Sequence, residues 1–230
     1  MAFLQYEGVG ITALAAAVPR TVINNYEYTQ YFPADQVKEV VDKVGIFERR
    51  FADENTCSSD LCYAAAEKLI ADNNIDRSEI DLLVFISQTP DYRMPATSVI
   101  LQDRLHLSNS TIAFDINLGC SAFMYGMSVV YALMQQKGLR KALILDGETR
   151  SKVYSPKDRR TAFLFGDGGR FRGWGCYSVL PAGRVKVKRH HLPISLSALI
   201  WPPDRVISTL QICNPRPLPR VFRPRERSSL

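Results

Sequence analysis

The sequence predicts an α/β fold of the βαβαβ kind, with a mostly parallel sheet and a buried central helix. Three observations carry that prediction. Short apolar runs alternate with helical stretches and polar turns, the rhythm of parallel-sheet proteins. Residues 113–117, then Gly119 and Cys120, then an apolar run to Met134, read as strand, sharp turn and long helix. That run has no polar face, so it is expected to be buried all round. Finally, the character of the chain changes at residue 170. Beyond it lie twelve of the 29 Lys and Arg and eight of the 13 Pro, but only the acids Asp204 and Glu226.

Taken in order, residues 8–18 form a first strand, apolar throughout as a strand covered on both faces would be. Pro19 closes it. Residues 21–32 read as a loop and short helix, with Asn24 or Asn25 as its cap. In residues 34–44 the valines 37, 40, 41 and 44 recur at i, i+3, i+4 and i+7, which makes an amphipathic helix ended by Gly45. Ser58 caps the next helix, with Asp60 in its first turn and a stripe of Leu61, Ala65, Leu69 and Ile70. Residues 82–87 are a short apolar strand. A loop with Pro90 and Pro95 leads into a helix over 96–105.

In the central element, Gly119 supplies the backbone freedom of a tight strand-to-helix turn. After the central helix Gly138 acts as a C-cap, and residues 141–146 form the next strand. Residues 148–157 are a polar loop held by an Asp158–Arg159 ion pair. Residues 161–165 read as a last strand and 166–169 as its tight turn. No GxGxxG or Walker pattern accompanies those glycines, so no phosphate site is expected there.

Composition narrows the function classes. An apolar share of 46% is enough for a substantial core. The five cysteines (57, 62, 120, 176, 213) are an odd number at irregular spacing, without a CxxC pair or a Cys/His cluster. That argues against a disulfide framework or zinc site and for a reducing cytoplasm. The start MAFLQYEGVG lacks a signal peptide's basic flank and apolar core. No apolar run is long enough to span a bilayer. Neither cofactor nor metal is expected.

Cys120 has a chemical use where it stands. A free thiol has a pKa of about 8.5, and the unpaired N–H groups and dipole of a helix start favour its thiolate. The competing reading is an inert structural cysteine, since free Cys is among the most buried residue types. Position alone leaves both open.

Asp115-Ile116-Asn117-Leu118-Gly119-Cys120-Ser121-Ala122-Phe123 resembles the active-site turn of β-ketoacyl-acyl-carrier-protein synthase III, in the thiolase superfamily. Asp158-Arg159, followed by Thr161-Ala162-Phe163-Leu164-Phe165-Gly166-Asp167-Gly168, resembles that family's DR…FGDG stretch. The likeness covers roughly residues 5–169 and corresponds to the amino-terminal half of a family member. It implies a thiolase-like fold and a condensing enzyme of fatty acid or polyketide synthesis, an acyltransferase. Cys120 would take an acyl group from an acyl-carrier protein or acyl-coenzyme A. A malonyl-carrier-protein carbanion, formed by loss of carbon dioxide, would then attack it.

The resemblance also reaches Gly45-Ile46-Phe47-Glu48-Arg49, where Glu48 and Arg49 read as an ordinary surface pair. A Trp and an Arg of the family grip the adenine of coenzyme A; Glu39 and Lys43 hold those places here. A carboxylate cannot stack on adenine, so a carrier-protein donor is at least as well suited. Met94 occupies the position that reaches across the family's homodimer into the partner's acyl pocket; its bland reading is an apolar loop contact. The family's enolate-binding His and Asn have no match: His106, His190, His191 and Asn214 all stand in the wrong context. Cys120 alone is therefore carried over as catalytic.

The expected organisation is a thiolase-like half over residues 1–169 and a basic Pro/Arg-rich tail over 170–230. That tail is expected to be largely irregular, either disordered or read out of frame, which would leave the chain truncated and inactive. Alternatives are a non-catalytic remnant, or nucleic-acid binding through the basic tail, which carries no known binding module.

Overall fold

A computed structural model describes residues 4–168 and 176–183. Its centre is a five-stranded sheet in the order β1-β7-β6-β4-β5. The strands are β1 (Val9–Ala17), β4 (Ile80–Ile86), β5 (Ile112–Ile116), β6 (Lys141–Asp146) and β7 (Cys176–Gly183). Strands β4, β5 and β6 are parallel, and β7 runs antiparallel to both β1 and β6. A separate ribbon pairs β2 (Thr21–Asn24) with β3 (Glu48–Phe51). Among the described residues four α-helices accompany the strands: α1 (Ala34–Val44), α2 (Ser58–Asp72), α3 (Thr97–Arg104) and α4 (Ala122–Leu133).

Because side chains alternate along a strand, the sheet buries two apolar faces. Leu83, Phe85, Leu143 and Leu145 point to one side, against α2 and α3. Leu82, Val84, Ile86, Ala142 and Ile144 point to the other, against α4. This two-sided burial is why β4 and β6 read as continuous apolar runs. Among the described residues no helix is long and apolar enough to cross a membrane.

Several expectations need correction. Asn24 is the cap of a short 3-10 turn, its side chain accepting from the Tyr26 N–H, but the residues before it pair as β2. Cys57, not Ser58, precedes the first turn of α2, and the Asp60 carboxylate accepts its N–H at 2.8 Å. Residues 161–165 are not a strand. The Thr161 and Ala162 N–H groups donate to the Asp158 carbonyl and Leu164 N–H to the Thr161 carbonyl, which turns the segment in on itself. Its side chains are used elsewhere: Phe163 is buried with Val37 and Val41 of α1.

Asp158 and Arg159 do not pair with each other. Asp158 accepts from the Arg160 N–H at 3.0 Å and the Thr161 hydroxyl at 2.8 Å, and Arg159 reaches Glu39 at 3.6 Å. Glu48 and Arg49 are no surface pair either, since Arg49 is buried. Its Nε donates to Asn25 Oδ1 at 2.6 Å and its Nη1 to the Phe165 carbonyl at 3.0 Å. The guanidinium lies over the rings of Tyr28 and Phe51, and burial pulls it down to about 10, still charged at neutral pH. Nor is the chain after residue 169 irregular throughout. Residues 176–183 enter the sheet between β1 and β6, because a short stretch without a charged residue can supply a ladder whatever follows it. The rest of that stretch, with His190, His191 and Asn214, lies outside the described residues.

The central helix also departs from expectation. Ala122, Gly126 and Val130 form a buried stripe at i, i+4 and i+8. The amino-terminal segment covers one flank, where Tyr6 and Ser128 share a 2.7 Å hydrogen bond and the Tyr6 ring meets Tyr131 edge-on. Met124, Tyr125 and Val129, however, are exposed. An apolar sequence all round a helix does not by itself supply a partner for every side.

The buried stripe sits tight on the sheet. A Cβ at Gly126 would come within 2.4 Å of Ile86 Cδ1. Gly126→Leu should therefore lower stability by about 1–3 kcal/mol through overpacking. Tyr125→Leu, on the exposed side, should change it by less than about 0.5 kcal/mol. Urea unfolding midpoints of the two variants would check the contrast.

Candidate active site

The three parallel strands end at the same edge of the sheet. Ile116, Ile86 and Asp146 are register partners across β5, β4 and β6 and form its last row. Just beyond Ile116 the chain turns through residues 117–121 into α4. The Ala122 N–H donates to the Gly119 carbonyl at 2.8 Å, closing a tight turn around Cys120 and Ser121. Cys120 is exposed, two residues ahead of the first residue of α4. The start of α4, reached through that turn, lies at the same edge.

Two features hold the turn. Asp115, inside the strand, sends its carboxylate to α3, where Oδ2 accepts the Thr97 N–H and Oδ1 the Ser98 N–H, both at 2.8 Å. A strand carboxylate thereby satisfies two unpaired donors at a helix start and locks β5 to α3. Gly119 is not needed for backbone freedom, since its φ is not left-handed; it sits against the end of the exposed Gln88 side chain. A Cβ there would lie 2.9 Å from Gln88 Nε2. Gln88 is in turn held by Glu148, whose Oε1 accepts the Gln88 N–H at 2.7 Å while Oε2 accepts the Thr89 hydroxyl at 2.8 Å. Arg150 Nε lies 3.5 Å from Glu148 Oε2.

The glycine-rich turn after Phe165 has a structural use. The Asp167 carboxylate, fully buried, accepts the Ala52 and Ser151 N–H groups at 2.8 Å each and the Ser151 hydroxyl. It ties β3 to the loop after β6. Gly166 makes room for the Arg50 backbone, and Gly168 takes a positive φ of 52°.

The other described thiols are poor nucleophile candidates. Cys62 is fully buried. Burial, then the nearby Asp91 and Asp60 carboxylates, push the Cys57 thiol up to about 11. Met94 is not a loop contact within the chain: it is 89% exposed in the loop ahead of α3. Sequence reasoning missed Asp115, Gln88, Glu148 and Asp146 at this edge. Asp115 was visible inside the motif, but nothing local marks a strand carboxylate as the cap of a distant helix.

Asp146 is the unusual member of the edge. It is 5% exposed and makes no hydrogen bond through its carboxyl among the described residues. Burial, reinforced by Glu148, pushes it up to about 7.

A family model described as 3-oxoacyl-[acyl-carrier-protein (ACP)] synthase III matches residues 114–170, which include Cys120 and the edge just described. A Staphylococcus epidermidis protein named β-ketoacyl-[acyl-carrier-protein] synthase III 2 is 35% identical over 158 residues, covering 69% of this chain and 48% of its own length. A Caldanaerobacter subterraneus β-ketoacyl-[acyl-carrier-protein] synthase III is 33% identical over 159 residues, covering 69% and 47%. The crystal structure of a 3-oxoacyl-(acyl-carrier protein) synthase from Burkholderia xenovorans superposes with a TM-score of 0.74 at 36% identity, covering 79% of this chain and 50% of that one. The chain thus spans about half the length of the curated relatives it matches.

The buried Asp146 makes stability depend on pH. Its folded-state value is raised above the unfolded value of 3.8, so its contribution is fully present below that value and is lost as pH rises toward about 7. Asp146→Asn should leave stability near wild type at pH 4 and gain on it steadily to pH 7. Above that the advantage should be flat, at roughly 4 kcal/mol or less. Denaturant melts of both proteins across pH 4–8.5 would show it; an advantage independent of pH would contradict it.

Proposed function

The chain belongs to the β-ketoacyl-acyl-carrier-protein synthase III family, with its thiolase-like fold, and from that premise we propose that Cys120 is the acyl acceptor of a condensing enzyme. One observation carries the proposal: Cys120 is an exposed thiol on a closed turn, at the start of α4 and at the carboxyl edge of parallel strands. Ligand sites of open α/β sheets gather at that edge. The thiolate attacks the carbonyl of an acyl thioester. The carbon–sulfur bond of the donor breaks, its thiol leaves with a proton, and the acyl group stays on Cys120. In the second stage a malonyl-carrier-protein loses carbon dioxide, and the resulting carbanion attacks the acyl-enzyme to give a β-ketoacyl product and the free thiol.

The donor we favour is an acyl-carrier protein. The Glu39 carboxylate, exposed on α1, sits 3.6 Å from the Arg159 guanidinium. An adenine would meet an ion pair there and no flat apolar face. A homodimer through the β5 edge, with Met94 entering the partner's acyl site, accounts for the exposure of Met94, Val99 and Ile112 on that side. Among the described residues Cys57, Cys62 and Cys120 form no disulfide, which suits a reducing cytoplasm.

Intact-protein mass spectrometry after incubation with acyl-carrier protein or acyl-coenzyme A tests the acylation. A single acyl adduct on Cys120 is expected, faster from the carrier protein and absent in Cys120→Ser. Limiting iodoacetamide should label Cys120 ahead of Cys57 and Cys62. No β-ketoacyl product is expected from this chain alone, because the second stage needs donors for the enolate oxygen that no described residue matches. Preferential labelling or acylation at Cys57 would sink the assignment.

A further inference from the structure

The loop between β4 and α3 is pinned at both ends and exposed at its tip. At the first end the Ser58 hydroxyl donates to the Thr89 carbonyl at 2.7 Å, and the Thr89 hydroxyl oxygen accepts the Thr149 N–H at 2.9 Å. Two residues on, Asp91 closes over the start of α2. Its Oδ1 accepts the Ser59 N–H at 3.2 Å and lies 3.1 Å from Ser58 Oγ, and its Oδ2 accepts the Ser59 hydroxyl. A carboxylate on helix-start donors makes strong bonds of fixed geometry. Ser58 and Ser59 are buried, so the clamp is shielded from water. Arg104 of α3 braces it, donating to Ser59 Oγ at 3.2 Å and pairing with Asp60 at 2.8 Å. At the far end Thr97 and Ser98 are held by Asp115, and Thr97 Oγ1 accepts the Tyr92 N–H at 3.4 Å.

Between these anchors Arg93, Met94 and Pro95 are exposed, Met94 most of all. Met94 follows Asp91 by three residues, a span of at most about 10 Å, so fixing Asp91 confines where Met94 can stand. A slack loop would lose conformational freedom each time its tip entered a second protomer. This loop is already held at Thr89, Asp91 and Thr97, and it presents Met94 at one height above the body of the chain.

We propose that Asp91 is a positioning residue for Met94: its clamp on the start of α2 sets how far Met94 enters the partner's acyl site, and so which acyl chain lengths Cys120 accepts. This rests on the reading that Met94 crosses a homodimer into that site. A side chain that enters an acyl site closes its end. With the clamp intact Met94 stands at one depth, and chains that would reach past it are refused. With the clamp lost the loop yields to a longer chain, while a chain too short to reach Met94 is affected less. The clamp therefore acts on selectivity between acyl chains, which a plain helix cap would not touch.

The test is the ratio of Cys120 acylation rates from octanoyl- and butyryl-acyl-carrier protein, read by intact-protein mass spectrometry on the full chain. Met94→Ala, which opens the end of the site, should raise the ratio of octanoyl to butyryl by about tenfold. Asp91→Ala should raise it in the same direction, by about three- to tenfold. Asp91→Asn keeps an acceptor for the Ser59 N–H and should stay within about twofold of wild type. In the Met94→Ala background Asp91→Ala should add less than about twofold, because the two residues act as one unit. An Asp91→Ala that slows both donors alike, or that multiplies the Met94→Ala effect, overturns the proposal and leaves Asp91 as a helix cap only. Should Asp91→Ala fail to fold, Ser59→Ala decides. It removes one hydroxyl of the clamp and must raise the ratio when Met94 is present and not when Met94 is Ala; an unchanged ratio overturns the proposal. Two other outcomes fall on the readings beneath it and take it with them. A Met94→Ala ratio equal to wild type refutes the placing of Met94, and the absence of a Cys120 adduct from either donor refutes the nucleophile assignment.

Discussion

The seating of α4 on the end of the sheet is the constraint on which the rest depends. With no side chain at Gly126, the helix lies on Ile86 and Ile116, the last apolar row of β4 and β5. That closeness fixes where the helix starts. It leaves room for only a short turn between the strand and the helix, and Cys120 is in that turn. A bulkier residue at 126 would push the helix outward and move the thiol with it. The packing of an apolar interior and the placement of a polar reactive group are one problem here, solved by one glycine.

The carboxylates of the described chain illustrate how charge is spent in such a fold. Asp115 closes the start of α3 and Asp167 ties two loops, each through backbone N–H groups. Glu148 holds the backbone after β4. Each of these buried or half-buried acids is offset by donors, so each stabilises the geometry around the edge. Asp146 has no such donors among the described residues, and burial favours its neutral form. Asp91 shares the last trait, since burial raises it too, so the pH sensitivity of the described residues gathers at their buried acids.

Much of this was legible in the sequence, for physical reasons that differ by element. Strands β1, β4 and β6 and helix α1 were plain because their burial is periodic or continuous, and that pattern survives in the chain itself. Cys120 was legible because a glycine-led turn between a strand and an apolar helix is a local feature. Residues 161–165 were misread because their apolar content serves α1 and not the sheet. Arg49 was misread because a charged residue in a short amphipathic run looks solvated; only the fold brings Tyr28, Phe51, Asn25 and the Phe165 carbonyl around it. The strand over residues 176–183 escaped because composition over a long stretch hid eight residues able to pair. Asp146 escaped because nothing in the order Leu145-Asp146-Gly147 says which face of the sheet the carboxyl meets.

The exposed side of α4 adds a last consideration. Met124, Tyr125 and Val129 remain in contact with water, and each forgoes on the order of 1 kcal/mol that full burial would contribute. They lie four to nine residues beyond Cys120, on the helix that its turn leads into. A surface that covered them would also thin the water around the thiol. Electrostatic effects would then act through a lower dielectric and grow. A helix dipole acts more strongly through such a medium. Covering the apolar face would thus change the surroundings of Cys120 as well, so that the stability of α4 and the chemistry just ahead of its first turn rise and fall together.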